Sequence, residues 1–180
     1  MGSKDYKFCV IDTERIKGNQ IYLFSYQLYN AAFELVESKT YQDVSVDVSN
    51  RKSPKRKTNE LKTSVDRVDS FGALYDQIKD VLSGSLVIVF SLTDVNVIKK
   101  KCKDAGMDYR KIQVLDLQKA LYDLATDEKK KSNLKTYCKQ HGIEHQPHIP
   151  ESDCYATFRV YRNLLREYGE EFLEQYKSIV

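Results

Sequence analysis

The chain has 180 residues, 41% of them hydrophobic and 31% charged, with 29 Lys and Arg against 26 Asp and Glu for a formal net charge of +3. That length suits a single domain, and the apolar fraction is enough for a packed core, so a wholly disordered chain is excluded. The longest apolar run, Leu86-Val87-Ile88-Val89-Phe90, falls far short of the roughly 20 residues that a membrane-spanning helix needs. Residues 1–5 have no signal-peptide character and read as a tag remnant or disordered start. Cys9, Cys102, Cys138 and Cys154 are scattered, with no Cys-x-x-Cys pair, which points to reduced and partly core-filling thiols in a cytoplasmic protein.

In chain order, Tyr6–Ile11 is a short apolar strand running into Asp12, and Ile21–Leu28 is aromatic and β-branched after a Gly18-Asn19 turn. That spacing predicts a hairpin. A third strand is expected from Phe33 to about Val46, followed by an exposed loop from Asp47 to Thr63 with few apolar residues. Within that loop, Arg51, Lys52, Lys55, Arg56 and Lys57 form a basic cluster, and further basic runs stand at Lys99–Lys101 with Lys103 and at Lys129–Lys131. Such runs are either solvated faces or contacts for phosphate.

The second half changes period. Ser70 is placed to cap a helix in which Leu74, Ile78, Val81 and Leu82 recur at spacings of three and four, ended by Gly84. Leu86–Phe90 reads as a strand buried on both faces. A helix from Asp94 to about Ala105 follows, then a strand over Ile112–Leu115, a helix around Leu117–Leu124, and a short helix from Ser132 to Gly142. A long final helix is expected from about Asp153 to Tyr176, with Phe158, Tyr161, Leu164, Leu165 and Tyr168 on its inner side. Strands first and alternating strands and helices afterwards predict an α/β fold with a central mixed five-stranded sheet flanked by helices, in one domain.

Four acidic residues at three places in the chain stand out. Asp12 and Glu14 lie two residues apart at the end of a strand, so both side chains share a face. Asp94 follows the C-terminal end of the buried strand, where open α/β sheets place their sites, and Asp153 opens the last helix. Taken singly, each is explained as a helix cap or a solvated strand end. Gathered at one rim, they would form an oxygen-rich cluster of the kind that favours Mg²⁺ or Mn²⁺.

These segments resemble the motifs of the DEDDh family of 3′→5′ exonucleases, relatives of ribonuclease T and of the proofreading subunit of bacterial DNA polymerase III. An apolar strand ending Asp-x-Glu is present as Phe8-Cys9-Val10-Ile11-Asp12-Thr13-Glu14. A buried strand followed by a helix-starting Asp is present as Val87–Phe90 with Asp94, and a His five residues before an Asp is present as His148 and Asp153. Residues 132–143 are similar to the family's short helix ahead of its histidine. The chain departs from the pattern at Arg15, where the family often has Thr or Ser, and at Phe90, Ser91 and Leu92, where it often has His or Asn.

The resemblance implies a ribonuclease H-like fold and hydrolysis of single-stranded DNA or RNA from the 3′ end, releasing nucleoside monophosphates. Asp12, Glu14, Asp94 and Asp153 would hold two Mg²⁺ or Mn²⁺ ions roughly 3.5–4 Å apart. His148, carried on the Gly142–Pro150 loop, would act as general base. Backbone contacts near Thr13 and Arg15, and the basic residues Arg51, Lys52, Lys55, Arg56 and Lys57, are the expected nucleic-acid contacts. No membrane partner is expected, and a homodimer stays open. Two other readings keep the fold: an inactive nucleic-acid-binding or interaction domain, and a nuclease cutting internally. Cys138, His141, His145 and His148 also present a zinc-like ligand spacing, against which His141 and His145 read as solvated surface residues.

Overall fold

The computed structural model describes residues 6–16, 19–48, 64–125 and 133–180. The expected hairpin forms from β1 (Phe8–Ile16) and β2 (Gln20–Tyr29), and β3 (Leu35–Asp43) continues the antiparallel meander. β3 starts two residues later than expected because Phe33 turns through a positive φ of 65° and caps no strand. After β4 (Val65–Val68) come α1 (Phe71–Ser83), β5 (Leu86–Val89), α2 (Thr93–Asp104), β6 (Gln113–Asp116), α3 (Leu117–Leu124), α4 (Leu134–His141), α5 (Pro150–Glu174) and β7 (Lys177–Ile179).

The sheet has seven strands rather than five, in the order β4-β3-β2-β1-β5-β6-β7. The two additions are its edges: β4 pairs parallel with β3, and β7 pairs antiparallel with β6. β1 sits at the centre, antiparallel to β2 and parallel to β5. Local chemistry sets most helix ends as the sequence suggests. Ser70 accepts from the Ala73 amide at 3.2 Å and Asp116 accepts from Lys119 at 3.1 Å. For α4 the cap is Asn133, which accepts from Thr136 at 2.9 Å; Ser132 lies outside the described residues. So do the two basic clusters at 51–57 and 129–131 and most of the expected 47–63 loop.

Alternation along the central strands divides the core in two. Cys9, Ile11, Val87 and Val89 pack with Leu74, Ile78, Val95 and Ile98 of α1 and α2. Phe8, Val10 and Ile88 pack with Leu117 and Leu121 of α3 and with Cys154, Phe158, Tyr161 and Leu164 of α5. Tyr168 is exposed instead of facing inward: it lies past the end of the core-packed face, against the ring of Phe172, and one residue later Gly169 breaks the helix at φ 83° and ψ 173°. The chain therefore changes direction before Leu173 and Tyr176 return to the core. All four cysteines are free and buried.

Candidate active site

The parity that splits the core also arms the end of β1. Asp12 and Glu14 continue the series Phe8, Val10 and so face α5, whereas Thr13 continues Cys9, Ile11 and faces α2. On the first side waits Asp153, in the first turn of α5. The helix is drawn against the strand there by Cys154, whose thiol lies 3.7 Å from the Val10 carbonyl and 3.5 Å from that of Ser25. On the second side, the Thr13 hydroxyl donates to Asp94 Oδ1 at 2.5 Å. A register shift between β1 and β2 falls at Glu14 and Arg15, a device that re-aims side chains at the end of a strand.

The result is one open cleft of about 490 Å³ lined by Asp12, Glu14, Asp94, His148 and Asp153, with Thr13 and Arg15 on its wall. Ligand atoms of Asp12, Glu14 and Asp153 all lie within 4.8 Å of one another. Asp94 lines the same cleft from α2, tied to Thr13. Glu14 and Asp153 are buried, and Asp12 Oδ2 is enclosed with no hydrogen-bond partner. Burial pushes the Asp12 carboxyl well above the usual carboxylate range, and the charges of Asp94, Asp153 and Glu14 push it further. Burial raises Asp94 as well, against the pull of the Thr13 hydroxyl and the Arg15 guanidinium.

An enclosed carboxylate oxygen without a donor is costly unless something positive reaches it. Three clustered carboxylates with an orphaned oxygen and an all-oxygen donor set fit a hard divalent cation. The zinc-like set does not assemble. Cys138 is buried, His141 stacks on Tyr137 with ring centroids 4.0 Å apart, and His145 and His148 turn to two different carboxylates.

His148 sits on the loop between α4 and α5 with a left-handed φ of 66° and a side chain 74% exposed. Its Nδ1 is 3.6 Å from Glu14 Oε1, and its backbone amide donates to Asp153 Oδ2 at 3.0 Å. His145 departs from its expected place on the solvated surface. Its side chain is 5% exposed and hydrogen-bonded through Nε2 to Asp153 Oδ1. Spacing alone points to His148, five residues ahead of Asp153; the one hint of His145 in the sequence is a second histidine on the same proline-flanked loop. The segment carrying Arg51, Lys52, Lys55, Arg56 and Lys57 lies outside the described residues.

The architecture is shared with a solved structure described as "3′-end specific recognition of histone mRNA stem-loop by 3′-exonuclease". The two superpose with a TM-score of 0.63 at 15% identity, over 93% of this chain and 85% of that one. The chain has the ribonuclease H-like fold. At that identity, the likeness establishes the fold that a 3′-exonuclease carries. No family model matches the chain, and no curated protein matches its sequence.

Proposed function

We propose that this protein is a DEDDh-type 3′→5′ exonuclease that removes nucleoside monophosphates from single-stranded DNA or RNA ends. The observation carrying this reading is the meeting of Asp12 and Glu14 from β1, Asp94 from α2 and Asp153 from α5 in one cleft, with Asp12 Oδ2 buried and unpartnered. Asp12, Glu14, Asp94 and Asp153 would hold two Mg²⁺ or Mn²⁺ ions, which when bound supply Lewis-acid stabilisation of the phosphate and a more acidic water.

The other residues of the cleft have distinct work in this reading. His148 would take the proton of the attacking water at Nε2, because its Nδ1 faces the Glu14 carboxylate. Its high exposure leaves it accessible to a substrate entering the cleft, and a modest closure of its loop would bring it over the scissile phosphate. Thr13 holds Asp94 through its side chain, which leaves the backbone around Thr13 and Arg15 for the nucleotide. Arg15 adds a positive charge on the wall of an otherwise acidic cleft, where it would meet a phosphate.

A 5′-labelled oligonucleotide incubated with Mg²⁺, Mn²⁺ or a chelator tests the proposal. A metal-dependent ladder shortening from the 3′ end is expected. A single internal cut would indicate an endonuclease, and intact substrate in every lane would indicate a domain without this activity.

A further inference from the structure

We propose that His145 is the positioning residue of the site, fixing the Asp153 carboxylate and through it the loop that carries His148. The inference rests on the reading of Asp153 as a metal ligand. A polar imidazole is buried at a cost unless it is hydrogen-bonded, and the His145 side chain is 5% exposed between exposed neighbours Glu144 and Gln146. Its partner is Asp153 Oδ1. An ionised carboxylate only accepts, so His145 donates from Nε2.

The second oxygen of the same carboxylate, Oδ2, accepts the His148 amide at 3.0 Å. One loop therefore grips both oxygens of Asp153, three residues apart. The terminal torsion of an Asp side chain is otherwise broad; two donors from one direction set its plane. The grip also holds His148 at its left-handed φ of 66°, a conformation uncommon outside glycine. Gln146 extends the latch, its amide donating to Ser152 Oγ at 2.8 Å, and Asp153's own amide donates to the Ile149 carbonyl at 2.9 Å. Each carboxylate oxygen keeps a further lone pair, so Asp153 remains able to bind a cation from the cleft side. Partners that orient a metal ligand in this way are worth about 10–100-fold in affinity or activity.

The test is Mn²⁺ titration of the full chain by calorimetry, with kcat and KM on a short oligonucleotide measured in parallel. His145→Ala should weaken Mn²⁺ binding about 10–100-fold and lower kcat with little change in KM. His145→Gln, which keeps an N–H donor near the place of Nε2, should recover most of both. His141→Ala, at an exposed histidine stacked on Tyr137, should match the wild type. If the Ala variant does not fold, His145→Phe fills similar space without a donor and must show the same loss. Wild-type Mn²⁺ affinity in the Ala or Phe variant, or a Gln variant as weak as either, would overturn the positioning role while leaving the exonuclease proposal standing. A wild-type chain that binds no Mn²⁺ would overturn that proposal, and this inference with it.

Discussion

The hydroxyl of Thr13 donates to Asp94 Oδ1 at 2.5 Å, joining the end of β1 to the first turn of α2 across 81 residues of sequence. Thr13 is buried, so this hydroxyl is not exchanging its partner with bulk water. Thr13→Val preserves shape and removes the donor, leaving the half-buried Asp94 carboxylate without it. Urea denaturation of the metal-free protein should show a loss of about 1 kcal/mol, the net contribution of a hydrogen bond whose acceptor can still be reached by water. Unchanged stability would mean that Asp94 readily finds another donor.

Asp12 makes stability depend on pH in an unusual direction for a carboxylate. Its native pKa is raised by burial and by Asp94, Asp153 and Glu14, so the folded state holds the proton more tightly than the unfolded chain, whose Asp titrates near 3.9. The contribution is fully present below that unfolded value and is lost as pH rises through the higher native one. Asp12→Asn removes this loss. The melting temperature of the metal-free variant, relative to wild type, should therefore climb as pH goes from 4.5 to 8. Mn²⁺ should raise the wild-type melting temperature at pH 8, by the equivalent of about 2.7 kcal/mol at a hundredfold excess over Kd, and raise the variant's less. A difference between the two proteins that is flat with pH would remove Asp12 as its source.

His148→Ala should slow hydrolysis by roughly 10²–10⁴ under single-turnover conditions, the range for a lost general base. Mn²⁺ binding should stay near wild type, since the contact to Asp153 Oδ2 comes from the backbone amide of His148 and survives the substitution. A near-normal rate at pH 7.5 would take His148 out of the proton transfer.

The cluster Arg51, Lys52, Lys55, Arg56 and Lys57 gives a prediction from charge alone. Each phosphate contact on a single strand contributes about −0.7 to the slope of log K against log salt. Replacing all five residues with Gln should flatten that slope by up to about 3.5 and weaken binding of long substrates. The single-turnover rate on saturating short oligonucleotides should hardly change, because none of the five enters the proposed chemistry. An unaltered slope would mark the cluster as a solvated run.

Periodicity along the chain determined the central strands and the helices. Alternation from Phe8 to Glu14 places two carboxylates on one side of β1, and Ser70, Gly84 and Gly142 mark helix ends because caps and left-handed turns are local backbone chemistry. The edge strands were not legible in this way. Val65-Asp66-Arg67-Val68 and Lys177-Ser178-Ile179 carry little apolar pattern, and they are strands because β3 and β6 present free backbone edges to them. Tyr168 fits the inner face of the helix by spacing and is exposed because the core it would pack on ends before it, a property of the assembled fold that spacing does not carry. His145 and His148 look alike on one short loop. Tertiary structure alone sends the first beneath Asp153, where its buried ring is hydrogen-bonded to Oδ1, and leaves the second exposed in the open cleft beside Glu14, because only their places on the folded loop, and not their residue type or spacing, differ.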